Sequence, residues 1–276
     1  MSPPSSVGIP GIRGRLADRG SLLGTWIQMP NPEACEIAAA AGFDFVIVDM
    51  EHGSIDWTTT IEMIRATQGG GACPVVRINS SEPSLACDQI ERALDAGASG
   101  VIAPMVCTGA QARTLASAAR YPPRGSRGAC PIIRATKHGM VDWREYRQWA
   151  DQEVVIWGII EHQLALDNID EILSELDGVV LGPFDLAVSQ NERSGYPAAV
   201  SALREVAKKA SKMHRHCVPV IMEDLEDLGP VVDDWLQCGC RTVSLLSDRY
   251  VLGNSYVRQI QVATDRARHA EIVSSD

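Results

Sequence analysis

The chain has 276 residues, of which 45% are hydrophobic and 22% are charged, and its formal net charge is -10 at pH 7. This length exceeds the usual size of one domain, but an α/β barrel of this size commonly forms a single domain with one large core. The acidic balance disfavours nucleic acid as a partner, and no segment approaches the ~18 uncharged apolar residues of a membrane span.

The first twenty residues, MSPPSSVGIPGIRGRLADRG, are rich in proline, glycine, serine and arginine and lack the apolar stretch of a signal peptide. We predict a flexible N-terminal arm over residues 1–20 and a single catalytic domain over residues 21–276. The eight cysteines include no CxxC pair, and several lie in apolar segments. This pattern predicts buried, reduced thiols in a cytoplasmic protein and disfavours a zinc site.

From residue 22 onward, short apolar segments rich in β-branched residues alternate with longer segments of helical periodicity. The eight candidate strands are LLGTWIQ (22–28), FDFVIVD (43–49), PVVRI (74–78), GVIAPM (100–105), VVIWGIIE (154–161), GVVLG (178–182), VPVIM (218–222) and TVSLL (242–246). Such alternation requires a parallel sheet covered by helices, and eight units favour closure into a barrel. We therefore predict an α/β fold, a (β/α)8 TIM barrel. No GxGxxG motif follows the first strand, which disfavours a dinucleotide-binding fold.

The segment from Tyr121 to Gln152 interrupts this alternation. The motif YPPRGSRG is typical of a loop, and DWREYRQWADQE predicts a short helix before the fifth strand. Long excursions from a barrel are usually functional. His138, near the end of the loop, is predicted to be a solvent-exposed loop histidine, and contact with an acceptor substrate is the alternative.

Ionisable residues stand at the ends of several candidate strands. They are Asp49, Glu51 and His52 after the second strand, Arg77 in the third, Glu161 at the end of the fifth, Asp185 after the sixth, and Asp248 and Arg249 after the eighth. The carboxyl ends of the strands of a parallel barrel open on one face, where active sites are found. Charged groups are rarely buried unless they are paired or bind a metal. The cluster predicts an active site, and ordinary strand-end charges are the alternative.

The residue types in this cluster narrow the chemistry. Glu161 and Asp185 come from adjacent strands, and two carboxylates with free water positions suit a hard divalent ion that acts as a Lewis acid. Arg77 can stabilise developing negative charge. His52 can act as a base, with Asp49 orienting its imidazole.

Two competing mechanisms lack their nucleophile. A Schiff-base lysine must project from a strand into the site. The four lysines, Lys137, Lys208, Lys209 and Lys212, follow the irregular loop or lie in the polar segment REVAKKASKMHRH. No GxSxG motif is present, which disfavours a serine hydrolase.

Six segments that match one known family occur in order along the chain, namely GTWIQMPNPEACEIAAAAGFDFVIVDMEH, PVVRIN, GASGVIAPMV, ARYPPRGSRG, IIEHQLALDNIDEIL and DGVVLGPFDLA. These segments carry a resemblance, which runs from about Gly24 to Leu252, to the HpcH/HpaI aldolase/citrate lyase family of metal-dependent, class II pyruvate aldolases. The resemblance implies a TIM barrel whose C-terminal helix is exchanged with a neighbouring subunit. It also implies a homohexamer arranged as a trimer of dimers.

The resemblance further implies roles for the strand-end residues. Glu161 and Asp185 are expected to ligate a divalent metal, Mg²⁺ first and Mn²⁺ or Co²⁺ as alternatives. Pyruvate or oxaloacetate is expected to bind there through its carboxylate and keto oxygen. Arg77 would hold the keto or enolate oxygen, and His52 with Asp49 would transfer protons through water.

Other positions match the wall of the family's pyruvate pocket. Trp26, Gly182 and Phe184 are expected to line it, with backbone amides that receive the substrate carboxylate. The chain departs from the family at Ile159, where glutamine is frequent, at Phe184, where a small residue is usual, and at ACPII after ARYPPRGSRG. These departures fall on the pocket wall and bear on the substrate rather than on the metal. The bulky Phe184 is similar to that of a fungal member, macrophomate synthase, which decarboxylates oxaloacetate and traps the enolate.

The sequence thus predicts a carbon–carbon lyase, a metal-dependent aldolase that cleaves or forms a C–C bond adjacent to a 2-keto acid through a pyruvate enolate. Its second small-molecule partner is an electrophilic acceptor. The alternative is an oxaloacetate decarboxylase or an enolate-trapping enzyme similar to macrophomate synthase. A third possibility, a binding or scaffold barrel without catalysis, is disfavoured by the intact set of charged residues.

Overall fold

The computed structural model describes residues 7–190, 195–223 and 225–273. Its eight strands are β1 (Leu22–Ile27), β2 (Phe45–Asp49), β3 (Cys73–Arg77), β4 (Gly100–Ala103), β5 (Val155–Ile160), β6 (Gly178–Leu181), β7 (His216–Pro219) and β8 (Thr242–Ser247). They pair in parallel in the order β7-β6-β5-β4-β3-β2-β1-β8, and a parallel bridge between Val220 and Ser244 joins the two outer strands. The predicted (β/α)8 barrel is confirmed.

Helices alternate with the strands. In the described part of the chain they are α1 (Ile12–Arg19), α2 (Pro32–Ala40), α3 (Trp57–Gly69), α4 (Pro83–Asp95), α5 (Gly109–Ala118), α6 (Trp143–Glu153), α7 (Gln163–Asp167), α8 (Ile169–Glu175), α9 (Pro183–Ser189), α10 (Gly195–Lys212), α11 (Leu225–Gln237) and α12 (Asp248–Val273). Side-chain caps start several of them: Asn31 accepts from the Glu33 amide, and Thr108 forms a capping box with Gln111. None of the described helices has the length and hydropathy that a membrane crossing requires.

The seventh strand begins and ends earlier than the sequence pattern predicts. It covers His216–Pro219 instead of residues 218–222. Pro219 has no N–H to donate to a neighbouring strand. Beyond it, Val220 forms an isolated bridge to Ser244 and donates to the Leu181 carbonyl at 3.4 Å. The hydrophobic pattern did not identify the start of this strand, because its first residue, His216, is polar.

The core has two layers, as side-chain alternation along buried strands requires. Inside the barrel, Phe45 contacts Trp157 edge to face, with ring centroids 6.0 Å apart. Gly24 leaves space for the Phe45 ring, since a Cβ at Gly24 would lie 2.2 Å from it. The second layer lies between the barrel and its helices and includes Val46 and Val48. The barrel is therefore packed through its centre, and only its ends are open to a site.

The amino-terminal end of the barrel is closed by α1. Ile12 is fully buried in the interior cluster with Leu22, Arg13 forms an ion pair with Asp177 at 2.5 Å, and the Gly14 amide donates to Glu153 at 2.9 Å. The prediction of a flexible arm over residues 1–20 is therefore wrong for residues 12–19; residues 1–6 lie outside the described ranges. The helix escaped prediction because it is short and polar and is stabilised by long-range contacts.

The irregular loop before α6 also lies at the amino-terminal end. Arg134 in this loop donates to the Ala96 carbonyl at 2.6 Å, in the turn that precedes β4, and to Gln68 at 2.7 Å, near the end of α3. His138 lines a cavity in this region with Val7. His138 is exposed, as the sequence predicts for a loop histidine, and it lies far from the carboxyl ends of the strands.

The C-terminal helix α12 leaves many large apolar side chains in solvent. They include Val251, Leu252, Tyr256, Val257, Ile260 and Val262. The described chain does not cover this surface, and a helix with such a surface requires a partner for it.

The contacts of α1 predict that it stabilises the barrel. Ile12→Ala should lower the free energy of unfolding by about 2–5 kcal/mol, because it opens a cavity at a fully buried position. The control Ile37→Ala, at a position that is 70% exposed on α2, should change it by less than about 0.5 kcal/mol. Urea denaturation measures both values. A loss for Ile12→Ala as small as that of the control would contradict a structural role for α1.

Candidate active site

Side-chain alternation explains why an apolar strand ends in a charge. In β2, Phe45 and Ile47 belong to the cluster inside the barrel, whereas Val46 and Val48 pack under the helices. Asp49 continues the inward series at the carboxyl end of the strand. The charge therefore lies on the axis side of the barrel mouth.

The same period of two brings residues of other strands to this mouth. In β3, the inward residues Cys73 and Val75 precede Arg77. In β5, the inward residues Trp157 and Ile159 precede Glu161. Three ionisable residues predicted from the strand ends thus converge on one site.

Asp49 and Arg77 form a buried ion pair with two hydrogen bonds. Asp49 is 0% exposed, and it accepts from Nε of Arg77 at 2.7 Å and from Nη2 at 2.5 Å. It also accepts from Nε2 of Gln28 at 2.8 Å and from the amides of Glu51 and His52 at 3.1 and 3.2 Å. Burial raises the pKa of Asp49, but the hydrogen bonds and charge of Arg77 outweigh it and hold the pKa below its ordinary value.

Arg77 is held by two further contacts. Its Nη1 lies 3.0 Å from Oε2 of Glu51, and its guanidinium lies over the Trp26 ring, 4.8 Å from the centroid. Burial raises the pKa of Glu51, although the charge of Arg77 opposes this change. The cation is therefore fixed before any ligand arrives.

Glu161 has a different environment from Asp49. It is 6% exposed and accepts one hydrogen bond on Oε1 from the Met105 amide at 2.6 Å. Met105 adopts a left-handed backbone conformation, with φ 49°. Burial raises the pKa of Glu161 to about 7 despite this hydrogen bond, and the charges of Asp185 and Glu51 add to the increase.

The carboxylates of Glu161 and Asp185 suit a hard divalent cation. Asp185 lies in the first turn of α9 and is exposed, and its negative charge raises the pKa of Glu161 across the site. A cation between them would relieve this repulsion. Among the described residues, no group of three or more His, Cys, Asp or Glu side chains could hold a metal ion. Water or substrate oxygens would have to complete the coordination, as is usual for Mg²⁺.

The cavity at this end of the barrel has a volume of about 230 Å³. Its polar lining comprises Gln28, Arg77, Glu161, Asp185 and Ser247, and its apolar lining comprises Trp26, Ile159, Val180, Pro183, Phe184, Val220, Met222, Leu246 and Tyr250, with Gly182 between them. The three positions expected to line the pocket, Trp26, Gly182 and Phe184, all contribute. A Cβ on Gly182 would lie 3.1 Å from Cβ of Glu161, so a side chain there would crowd that carboxylate.

His52 is not part of the cavity lining. Its side chain is 61% exposed, and its Nε2 lies 4.0 Å from Oε2 of Glu51. The predicted contact between the Asp49 carboxylate and the His52 imidazole is wrong, because that carboxylate binds Arg77 and reaches only the backbone amide of His52. Glu51 is the acidic side chain beside the imidazole.

Sequence reasoning also missed Gln28 and Met105. Gln28 follows Trp26 by two residues and is therefore the next inward position of the first strand, which alternation could have identified. The hydrogen bond from Met105 depends on its left-handed backbone, and no sequence pattern in PMV signals that conformation.

The barrel and its relatives define the class of the protein as a TIM-barrel carbon–carbon lyase of the aldolase type. The chain belongs to the HpcH/HpaI aldolase/citrate lyase family, whose model matches residues 22–239. A hydroxypyruvate/pyruvate aldolase of Rhizorhabdus wittichii is 40% identical over 203 residues, which are 70% of this chain and 77% of the relative.

Solved structures agree with this assignment. An HpcH/HpaI aldolase from Desulfitobacterium hafniense superposes with a TM-score of 0.81 at 25% identity, covering 92% of this chain and 96% of that chain. Macrophomate synthase superposes with a TM-score of 0.77 at 24% identity, covering 97% of this chain and 93% of that chain. At this identity the likeness to macrophomate synthase concerns the fold alone.

The environment of Glu161 predicts a pH-dependent stability in excess EDTA. The pKa in the folded chain, about 7, exceeds the ordinary value of 4.5. The contribution of the protonated carboxyl is therefore complete below pH 4.5 and is lost as the pH rises through about 7. Glu161→Gln, which stays neutral, should be more stable than the wild type at pH 8 by up to about 3 kcal/mol, with little difference at pH 5.

Urea unfolding of both proteins between pH 5 and pH 8 measures this difference. The control Glu36→Gln, at an exposed position of α2, should follow the wild type at every pH. A constant difference between Glu161→Gln and the wild type across this range would show that the carboxyl does not titrate abnormally.

Proposed function

We propose that the chain is a divalent-metal-dependent aldolase that cleaves or forms a C–C bond adjacent to a 2-keto acid through a pyruvate enolate. The observation that carries the proposal is the convergence of Glu161 and Asp185 with Arg77 on one cavity. The similarity to the hydroxypyruvate/pyruvate aldolase of Rhizorhabdus wittichii supports pyruvate as the nucleophilic partner.

Glu161 and Asp185 are the residues that would hold the metal, Mg²⁺ first and Mn²⁺ or Co²⁺ as alternatives. When bound, the ion supplies Lewis-acid polarisation of the substrate carbonyl. The free oxygen of Glu161 and the exposed carboxylate of Asp185 provide hard ligands for it. Because the pKa of Glu161 is about 7, metal affinity should decrease as the pH falls below that value.

Arg77 stabilises the negative charge of the enolate oxygen in the proposed reaction. Its guanidinium lines the cavity and is oriented by Asp49 and Glu51. Such a fixed cation needs no reorganisation when charge develops, which is the main advantage of electrostatic preorganisation. Trp26 covers one face of the guanidinium and keeps water from it.

His52 transfers the hydroxyl proton in the proposed cleavage. The proton leaves the substrate hydroxyl, the C–C bond breaks, an aldehyde departs, and the electron pair remains on the pyruvate fragment as an enolate. The enolate then takes a proton at C3 and yields pyruvate. His52 lies outside the cavity lining, so we infer that a water molecule carries the proton to it, with Glu51 beside the imidazole.

Decarboxylation of oxaloacetate, with release or capture of the enolate, is the second candidate. It is favoured by the position of His52, because loss of CO₂ requires no base and the described residues that line the cavity include no histidine. The exposed Phe184 ring at the cavity also supports an enolate-trapping reaction on an unsaturated acceptor.

We further propose a homohexamer, a trimer of dimers, in which α12 is exchanged between subunits. The exposed apolar side chains of α12 support this proposal. A cytoplasmic location is also proposed, and the eight free cysteines support a reducing compartment. Light scattering at micromolar concentration tests the assembly, and a monomer would contradict it.

Metal dependence is the first test of the proposed reaction. EDTA should abolish pyruvate aldol activity, and Mg²⁺, Mn²⁺ or Co²⁺ should restore it. Glu161→Gln and Asp185→Asn should behave like the EDTA-treated enzyme and should lose the metal-induced increase in Tm. The control Asp88→Asn, at an exposed position of α4, should keep both properties. Full activity in excess EDTA would reject the proposal.

The roles of Arg77 and His52 can be separated by comparing two reactions. An enolate forms in both decarboxylation and retro-aldol cleavage, so Arg77→Ala should impair both by ~10²-fold or more. Arg77→Lys keeps the positive charge but not the two hydrogen bonds to Asp49, so it should retain more activity than Arg77→Ala. It also provides a test of the charge if Arg77→Ala does not fold.

His52→Ala should lose retro-aldol cleavage by ~10² to 10⁴ while keeping most oxaloacetate decarboxylation. Both rates are measured on one preparation with confirmed metal content and oligomeric state. Equal loss of the two activities would show that His52 holds substrate or metal and does not transfer the proton.

A further inference from the structure

Beyond its carboxylates, the cavity has an apolar mouth. Phe184, Met222 and Tyr250 line it from the segments that follow β6, β7 and β8, and they are 61%, 46% and 38% exposed. Val220 and Leu246 continue this wall towards the barrel. Large apolar side chains that converge on one cavity and stay partly in solvent mark a surface that a ligand covers.

The fold holds these side chains in place. The Asp248 carboxylate accepts from the amides of Gln28 and Met29 at 2.9 and 3.1 Å, which fixes the start of α12 next to β1 and therefore positions Tyr250. In α9, Leu186 is fully buried and anchors the short helix that carries Phe184. These contacts fix the apolar mouth as a part of the cavity wall.

Among the described residues, this wall offers no cation to an anionic group. Arg77 is the only lysine or arginine among the described residues that line the cavity, and its guanidinium is already bonded to Asp49 and Glu51. Arg249 lies outside the lining and donates to the His52 carbonyl at 3.1 Å. A carboxylate or phosphate at the mouth would lose hydration without gaining a cation.

The polar end of the cavity adds to this discrimination. The carboxylates of Glu161 and Asp185 lie in the same cavity and repel a second anion on the acceptor. A polyhydroxylated acceptor would leave its hydroxyl groups against Met222, Val220 and Leu246, which cannot form hydrogen bonds with them as good as those of water. An acceptor with an aromatic or aliphatic group carries no charge to be repelled and no additional hydroxyl groups to be desolvated.

We propose that the acceptor in the aldol reaction is an uncharged aldehyde with an apolar, preferably aromatic, substituent that packs against Phe184, Met222 and Tyr250. This inference rests on the aldolase function proposed above. In the addition, C3 of the pyruvate enolate bonds to the aldehyde carbon, and the carbonyl electron pair moves to oxygen. That oxygen takes a proton, which balances the one lost from the pyruvate methyl group, so no oxidant or reductant is required.

The test compares acceptors on the full-length, Mg²⁺-loaded protein with pyruvate as the nucleophile. The probes are benzaldehyde, succinic semialdehyde as an anionic acceptor, and glyceraldehyde as a hydroxylated one. We expect kcat/KM for benzaldehyde to exceed those of the other two by about tenfold or more. A preference for succinic semialdehyde or glyceraldehyde would overturn the inference.

Variants separate binding at the wall from intrinsic aldehyde reactivity. Phe184→Ser should lower kcat/KM for benzaldehyde by about tenfold relative to that for succinic semialdehyde, mainly through KM. Phe184→Leu, which keeps an apolar side chain, should recover most of the loss. The control Val188→Ala, at an exposed position of α9 outside the cavity, should match the wild type. Equal losses for all acceptors in Phe184→Ser would overturn the inference.

A second measurement distinguishes failure of this inference from failure of the proposed function. Exchange of the pyruvate methyl protons in D₂O, followed by NMR without an acceptor, reports enolate formation alone. We expect the metal-loaded wild type and the control Val188→Ala to exchange these protons at equal rates. Absence of exchange in the metal-loaded wild type would reject the aldolase function and this inference with it. Normal exchange combined with a polar acceptor preference would reject this inference only.

Discussion

The ion pair between Asp49 and Arg77 is the contact on which the geometry of the site depends. The two residues are paired in register at the carboxyl ends of adjacent strands, so the barrel itself brings them together. Both are buried, and removing one partner of such a pair typically costs about 3–5 kcal/mol, because the other charge stays desolvated. The same carboxylate also accepts the amides of Glu51 and His52. One side chain therefore orients the cation and shapes the turn that follows β2.

Two buried carboxyl groups in this site have opposite pKa shifts because their partners differ. Asp49 accepts five hydrogen bonds, two of them from a guanidinium, and its pKa is lowered. Glu161 accepts one hydrogen bond and faces the charge of Asp185, and its pKa is raised to about 7. Asp49 has its carboxylate oxygens occupied by hydrogen bonds, whereas Glu161 keeps an oxygen that can bind a cation. This difference supports the proposed roles, in which Glu161 ligates the metal and Asp49 holds Arg77.

Sequence reasoning succeeded where a property repeats along the chain and failed where it depends on distant contacts. Eight apolar segments were recognisable because parallel strands are buried on both faces, and Arg77 was recognisable as a charge that continues an apolar strand. The pairing of Asp49 with Arg77 was not recognisable from the sequence, because it depends on the register between β2 and β3. The polar segment of α1 gave no sign that Ile12 would be buried in the barrel.

The ionic and apolar parts of the cavity are built by different elements, which separates the two demands on an aldolase site. Arg77 ends a strand and Glu161 directly follows one, so their positions are set by the hydrogen-bonded barrel. Phe184 and Tyr250 lie on helices that begin after the strands end. A substitution at the mouth can therefore change which acceptor packs there without moving the buried charges. In the proposed reaction the enolate is stabilised by the rigid part, and the choice of electrophile belongs to the loops and helix starts, where side chains can vary at little cost to the core.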